Sequence, residues 1–259
     1  STANRPPKIY GASSATVWND DKVVLWGGQD QTPKELNETW VYDYSDNSWT
    51  KRNPPVSPPA RYLAMMASVT GDDKVVMFGG WCYKGDTWIY DLSDDNWTQV
   101  TSTPSPQGRF YSAMAAVTND DKMVLFSGYG MGADTWVFDA SDRQWYNMNP
   151  TIAPPARGYH AMATITTDDK VVMSAGAGIS DCWVYDFSTN NWTQKGDCPG
   201  AWDFHSSAGI YNDDKVLVCG LPLSKLYLYD LSVDQWIQIS LASIPPPTDL
   251  ISLAAIYNT

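Results

Sequence analysis

The 259-residue sequence contains no apolar run long enough to cross a membrane, so no membrane-spanning helix is predicted. Basic residues are few: 17 lysines and arginines stand against 29 acidic residues, for a formal net charge of −12. Without a basic stripe, the sequence predicts no nucleic-acid partner. Only two histidines occur, and the four cysteines lack the spacing of a zinc site, so no metal or other cofactor is predicted. No signal peptide is visible, and the sequence leaves the cellular compartment undecided.

The cysteines allow one disulfide. Cys182 begins a predicted third strand and Cys198 follows the adjacent fourth strand, so antiparallel pairing would bring both to the same edge of a sheet. Free thiols are the alternative. Glycosylation sequons also occur, but two of the three include a tryptophan that belongs to a repeat, and their use would require secretion. The three acceptor residues are Asn37, Asn96 and Asn191.

One unit recurs five times along the chain. It opens with Asp-Asp-Lys and an apolar stretch, at Asp20, Asp72, Asp120, Asp168 and Asp213. An aromatic stretch of the type Trp-x-Tyr-Asp follows, from Thr39, Thr87, Thr135, Cys182 and Leu226. A lone tryptophan ends each unit, at intervals of 44 to 48 residues: Trp49, Trp97, Trp145, Trp192 and Trp236. A period of this size, built from short strands, predicts a β-propeller.

Each unit predicts four strands, because short aromatic and β-branched segments alternate with turn residues. In the second unit the predicted strands cover 61–69, 74–80 and 86–92, and a fourth begins at Trp97. Trp88 and Tyr90 are expected on one side of the third strand and Ile89 on the other.

The units resemble the kelch repeat. A double glycine after the second strand, a tyrosine in the third and a tryptophan in the fourth stand in register over essentially the whole chain. The glycine pair is altered in three units, to Ser127-Gly128, Ala175-Gly176 and Cys219-Gly220. The resemblance implies an all-β, kelch-type β-propeller of four-stranded antiparallel blades, with the first strand of each blade lining a central channel. Residues 1–259 are expected to form this single domain.

The pattern leaves the number of blades open. Candidate inner strands number six, at 9–18, 62–70, 110–118, 158–166, 204–211 and 250–257, whereas the other strands number five each. The last inner strand could close a five-bladed ring, belong to a longer propeller, or end an open arc that a partner completes. An open arc would expose the faces of its two terminal blades, which is unfavourable. A closed ring is therefore expected, and five blades are favoured over six.

Propeller geometry separates the charges. The turn face carries the loops that join strands one to two and three to four, and the loop face carries the two-to-three loops and the connections between blades. The turn face receives twenty of the 29 acidic residues and six of the 17 basic ones. Because aspartate is a good turn former, this acidity has a structural explanation. The turns diverge between blades, so they do not predict a calcium site.

The loop face carries the residue types that are typical of recognition sites. Three arginines share one repeat position, Arg61, Arg109 and Arg157, and aromatic residues surround that level. The candidate ligand-binding aromatics are Tyr62, Tyr111, Tyr159, Trp81, Tyr83, Tyr129 and Trp202. Arginine with aromatics suits partner recognition. The arginines have a second interpretation, in which they bond carbonyls or the acidic neighbours Asp86, Asp134 and Asp181.

The resemblance also implies a function, because kelch substrate adaptors commonly receive a peptide on this face. The prediction is a non-catalytic module that binds a protein, a peptide or a glycan. One alternative is a small-molecule enzyme with His160 and His205 at the channel mouth; these two histidines share one repeat position, where a packing role is favoured. Another is a structural subunit that docks through its rim or its acidic face.

Overall fold

The computed structural model describes residues 5–219 and 225–240, and their regular structure is entirely β-strand. Those residues include no helix of the length and apolarity needed to span a bilayer. Twenty of the strands form five four-stranded antiparallel sheets, which are blades 1 to 5. Two further short strands, β1 (Ile9–Tyr10) and β4 (Gln29–Asp30), pair with each other as a ribbon.

The strands of each blade follow one another from the channel outward. Blade 1 consists of β2 (Ser13–Thr16), β3 (Lys22–Trp26), β5 (Thr39–Asp43) and β6 (Ser48–Arg52). Blade 2 consists of β7 (Met65–Ser68), β8 (Lys74–Phe78), β9 (Thr87–Asp91) and β10 (Asn96–Val100). Blade 3 consists of β11 (Ala113–Ala116), β12 (Lys122–Phe126), β13 (Thr135–Asp139) and β14 (Gln144–Asn147). Blade 4 consists of β15 (Ala161–Thr164), β16 (Lys170–Ser174), β17 (Cys182–Asp186) and β18 (Asn191–Lys195). Blade 5 consists of β19 (Ser206–Gly209), β20 (Lys215–Cys219), β21 (Leu226–Asp230) and β22 (Gln235–Ile239).

The five blades form a ring, which confirms the predicted five-bladed propeller. The inner strands β2, β7, β11, β15 and β19 surround a cavity of about 250 Å³ along the ring axis. Small side chains such as Ser14, Ala64 and Ala113 line it. The sixth predicted inner strand, 250–257, lies outside the described residues.

The core lies between blades because alternate residues of each strand point toward opposite neighbours. Val76 and Ile89 of blade 2 pack with blade 3, whereas Trp88 and Tyr90 pack with blade 1, as predicted. The tryptophan of the fourth strand adds a polar contact, since its indole N–H donates to a threonine hydroxyl of the preceding blade. These bonds join Trp97 to Thr39 (3.0 Å), Trp145 to Thr87 (2.9 Å) and Trp192 to Thr135 (3.0 Å).

The Asp-Asp-Lys turns end the first strand of each blade by local bonding. In blade 1, the Asp20 carboxylate accepts the backbone N–H of Asp21 and the ammonium of Lys22. The same ammonium reaches Asp43 at the end of the third strand, at 3.6 Å. Each blade repeats this bridge, which confirms that both sets of aspartates lie on the turn face: Lys74 to Asp91, Lys122 to Asp139, Lys170 to Asp186 and Lys215 to Asp230.

The inner strands are shorter than predicted, because each is preceded by a residue with a left-handed backbone. In blade 2, Leu63 has φ 58°, so the strand begins at Met65 instead of residue 62. In blade 1, Gly11 has φ 61° and divides the predicted segment 9–18 into β1 and β2. A left-handed residue interrupts the extended conformation that a strand requires.

Candidate functional site

The three loop-face arginines are buried clamps. The guanidinium of Arg109 donates through Nε to the Gln107 carbonyl and through a terminal nitrogen to the Ser127 carbonyl, both at 2.9 Å. It also forms a bidentate pair with Asp134, at 2.8 and 2.7 Å. Burial opposes ionisation of Asp134, but this guanidinium and the Trp136 indole N–H hold the pKa of the carboxyl below its ordinary value.

The same arrangement recurs at the other two positions. Arg61 pairs with Asp86 and the Gly79 carbonyl, and Arg157 pairs with Asp181. The arginine side chains are at most 1% exposed. The geometry therefore corrects their assignment as ligand-binding residues, because guanidinium donors already bonded inside the blade do not face a ligand. Their contacts match the second interpretation, in which they bond carbonyls and acidic neighbours.

A close contact between blades explains the second glycine of each pair. Its N–H donates to the carbonyl of the residue at the arginine position of the next blade; for example, Gly80 bonds the Arg109 carbonyl at 2.9 Å. A Cβ on Gly176, which makes the equivalent bond, would lie 2.7 Å from the Gly158 carbonyl oxygen. Only glycine fits such an approach. These contacts hold each connection between blades against the end of the second strand of the preceding blade.

Trp202 takes the arginine position in blade 5 and belongs to a different cluster. Its carbonyl accepts the Gly176 N–H at 2.9 Å, as the arginine carbonyls do in other blades. Its ring packs on Tyr227 and Trp236, with centroids 5.0 and 6.1 Å apart. Trp202 therefore replaces an ion pair with an aromatic contact, and the geometry does not group it with the aromatic residues around the channel.

The two histidines lie between blades. His160 packs edge-on against Phe126 of blade 3, and Nε2 of His205 lies 2.9 Å from both side-chain and carbonyl oxygens of Ser174 in blade 4. Burial lowers the pKa of His160 to about 3 and that of His205 to about 4. Both rings are buried and make the contacts of packing residues, and both residues also line the axial cavity. Across residues 5–219 and 225–240, no group of three or more histidines, cysteines or acids could hold a metal.

The mouth of the channel is its loop-face end, and each blade contributes one left-handed residue to it. These residues are Gly11, Leu63, Tyr111, Tyr159 and Phe204, with φ between 51° and 64°. A left-handed backbone is unusual for bulky residues and clusters at functional sites. Here it directs three rings, from blades 3, 4 and 5, over the axis. Tyr159 lies 4.2 Å from Tyr111 and 4.6 Å from Phe204, measured between ring centroids.

The aromatic residues around the mouth form one continuous network. Tyr62 stacks on Trp81 at 5.4 Å, and Trp81 meets Phe110 at 4.8 Å. Phe110 contacts both Tyr83 and Tyr129, at 5.0 and 5.4 Å. The network thus unites six of the seven predicted aromatics, and we call it the aromatic mouth. Its members are Tyr10, Tyr62, Trp81, Tyr83, Phe110, Tyr111, Tyr129, Tyr159 and Phe204.

Tyr10, Phe110 and Phe204 are the members that were not among the predicted ligand-binding residues. Tyr10 lies in β1, which precedes blade 1 in the chain. Its hydroxyl hydrogen-bonds with that of Tyr111, from across the mouth, and its ring lies 6.1 Å from Tyr62. Burial and the hydrogen bond with Tyr10 raise the pKa of the Tyr111 hydroxyl, so this group is a neutral donor and acceptor at physiological pH. The sequence signal for Tyr10 is its repeat position, which is that of Tyr62 and Phe110.

The aromatic mouth has a buried floor and an exposed rim. Phe110 is buried in the floor, whereas the Tyr83 and Tyr129 side chains are 52% and 46% exposed. Rigid aromatic rings with polar hydroxyl groups give large contact area at low entropic cost. This arrangement can hold a ligand by stacking and hydrogen bonding.

Five four-stranded blades around a channel, with varied loops on one face, define a β-propeller of the kind used for recognition. The chain belongs to the kelch-repeat family, because the family model for the KLHDC2/KLHL20/DRC7 Kelch-repeats domain matches residues 1–176. Propellers of this family generally serve as protein-interaction modules. Over 75 residues, 29% of this chain, the sequence is also 35% identical to the Rho GTPase-activating protein gacHH of Dictyostelium discoideum. The matched stretch is 5% of that protein's length.

Proposed function

We propose that this chain is a non-catalytic recognition module that binds a protein or peptide through the aromatic mouth. The observation that carries the proposal is the continuous network of nine rings, which ends in the exposed side chains of Tyr83 and Tyr129. Exposed aromatic clusters with a packed centre and a polar rim are typical of binding hot spots.

The backbone gives separate support. Tyr111, Tyr159 and Phe204 keep a left-handed conformation that costs free energy for a side chain with a Cβ. Blade 1 has glycine at this position, so the fold accepts a residue without a side chain there. The fold therefore does not require the three rings, and contact with a ligand would explain why aromatic residues occupy these positions.

A peptide library displayed on phage supplies ligands for a direct test, and a glycan array serves as a parallel arm. Peptides enriched on the folded protein would be titrated against Tyr83→Ala and Tyr129→Ala. We expect each substitution to weaken binding about tenfold, the effect of removing a moderate hot spot. Thermal stability should change little, because both side chains are exposed.

Tyr44→Ala is the matched control. Tyr44 is 50% exposed, close to the value for Tyr83, but it lies on the turn face, where its N–H bonds the Asp21 carbonyl. Its loss should leave the affinity unchanged. Unchanged binding in both aromatic-mouth variants would refute the proposal. A loss of binding confined to Tyr44→Ala would also refute it and would place the interface on the turn face. Enrichment on the glycan array alone would replace the peptide ligand with a sugar.

A further inference from the structure

Blade 4 carries cysteine at a repeat position where blades 1 to 3 carry threonine, and a second cysteine lies in the connection that follows this blade. The repeat position opens the third strand, where Cys182 stands in place of Thr87 and Thr135. The second cysteine, Cys198, lies six residues after Trp192, in a connection that reaches the arginine position in 10 residues instead of the 12 that follow Trp97 and Trp145. Cys198 is buried, whereas Thr103 and Thr151, at the same distance from their tryptophans, are exposed.

The exchange removes a contact that the threonine makes in other blades. Thr87 and Thr135 accept the indole N–H of the next blade's tryptophan. At the corresponding place after blade 4, Trp236 donates instead to the Gly196 carbonyl, at 3.2 Å. The Cys182 thiol therefore does not accept the indole N–H of the next blade's tryptophan, and it is available for a different interaction.

The two thiols lie side by side. Cys182 pairs with Lys195 across β17 and β18, and the chain reaches Cys198 three residues later. The Cys198 N–H donates to the Ser180 carbonyl at 2.6 Å, and its Sγ lies 3.7 Å from the Asp181 carbonyl oxygen. Cys198 therefore contacts the two residues that directly precede Cys182, and both cysteines are buried in one apolar cluster. Residues held across the end of an antiparallel pair have the proximity that a disulfide requires.

We propose that Cys182 and Cys198 form a disulfide that ties the connection between blades 4 and 5 to the third strand of blade 4. The oxidant is a small-molecule disulfide such as oxidised glutathione. One cysteine thiolate attacks it, releases one glutathione thiolate and leaves a mixed disulfide. The second cysteine then attacks the protein sulfur of that mixed disulfide and releases the other glutathione. The two protein thiols lose two electrons and two protons, and the glutathione disulfide is reduced to two thiols.

The bond forms as the chain folds. In the folded protein, the hydrogen bond to Cys198 and burial raise the pKa of the Cys182 thiol. A buried protonated thiol exchanges slowly, because the thiolate is the attacking species. In the unfolded chain both thiols are accessible, so oxidation precedes burial. Once formed, the disulfide is shielded from reductants by the same cluster.

The disulfide would support one side of the aromatic mouth. The segment after Cys198 leads to Asp203, whose carboxylate accepts the Gly178 N–H at 3.1 Å, and then to the mouth residue Phe204. Anchoring this segment at Cys198 restricts the loop that presents the ring. The inference is independent of the proposed function, since its test uses no ligand.

The test is refolding from denaturant in reduced or oxidised glutathione, followed by alkylation under denaturing conditions and peptide mass spectrometry. In oxidised glutathione, we expect two of the four thiols to resist alkylation and a peptide linking Cys182 to Cys198 to appear. Cys82 and Cys219 should remain alkylated and act as internal controls. Four alkylated thiols, or a link between other cysteines, would overturn the proposal.

A double variant, Cys182→Thr with Cys198→Thr, removes both thiols with side chains of similar size and places at position 182 the residue type of Thr39, Thr87 and Thr135. A reductant added during refolding should lower the melting temperature of the wild-type protein by several degrees, while that of the double variant should not respond. An equal response of both proteins would show that the bond does not constrain the fold. Cys198→Thr alone should leave Cys182 fully alkylated, which separates this pair from exchange with Cys219.

Discussion

The turn face and the loop face of the disc differ in what their repeats preserve. On the turn face, all five blades keep the same side chains, and each lysine bridges its own turn to the end of the third strand. On the loop face, the mouth residues keep one backbone conformation but carry different side chains: Gly11, Leu63, Tyr111, Tyr159 and Phe204.

The difference follows from what each residue has to do. A turn-face lysine and its aspartates end two strands by contacts inside one blade, so every blade requires the same residue types. A mouth residue only has to reverse the chain direction ahead of an inner strand. Once the backbone has made that bend, its side chain is free to vary. The loop face therefore combines a constant backbone with variable chemistry, as binding sites on rigid scaffolds do.

The largest expected effect in this comparison belongs to the loop-face clamps. Arg109→Ala removes a guanidinium whose side chain is fully buried and leaves the Asp134 carboxylate without its partner. We expect the free energy of unfolding to fall by about 3 kcal/mol, since breaking a buried ion pair strands a charge. Urea unfolding followed by tryptophan fluorescence measures it. A loss below about 1 kcal/mol, the range of exposed ion pairs, would contradict the clamp.

A second prediction uses the pH dependence of stability to distinguish the buried histidines from the aspartates of the turn face. Burial holds the pKa of His160 near 3 and that of His205 near 4 in the folded state, below the ordinary value of 6.5. Protons therefore bind the unfolded chain more readily, and the contribution of these neutral histidines is complete above pH 6.5 and lost as the pH falls toward 4. Urea midpoints should decline between about pH 6.5 and about pH 4.5.

The control for the pH prediction has two parts. His160→Ser with His205→Ser introduces the residue that blade 3 carries as Ser112, and it should flatten the decline. On the turn face, hydrogen bonds from Ser45 lower the pKa of Asp21 from 3.8 to about 2, so its contribution is lost only below pH 3.8. Asp21→Asn should leave the slope above that pH unchanged. A slope that survives the histidine substitutions would contradict the assignment.

The smallest expected effect belongs to the turn face. Lys122→Ala removes contacts to Asp120 and Asp139 at 2.6 and 3.3 Å, but the lysine side chain is 25% exposed. We expect a loss of about 0.5 kcal/mol, because solvent screens a partly exposed ion pair. Repeating the urea titration at high salt should shrink the loss further. A loss as large as that of Arg109→Ala would remove the distinction between the two faces.

Prediction from the sequence succeeded for interactions that are local or repeated. The period and the aromatic pattern predicted the blades, and the side alternation of Trp88, Ile89 and Tyr90 was confirmed. It failed where one residue's environment depends on another blade or on a distant strand. Arg109 was a candidate ligand-binding residue with Asp134 as its alternative partner, and only the folded blade, which joins these residues 25 positions apart, decided between the two. Trp202 was grouped with the mouth by its level, although its ring turns toward Tyr227.

The sequence by itself determined the repeating unit of this protein: short strands with period-2 alternation, local Asp-Asp-Lys turns and a recurring tryptophan specify one blade, and their repetition predicts a propeller. Only the tertiary structure decided which polar residues are buried and which aromatic residues meet. Burial and ring contact depend on how neighbouring blades pack and on the left-handed bend before each inner strand. Those bends bring Tyr111, Tyr159 and Phe204, nearly fifty residues apart in sequence, within contact over the channel.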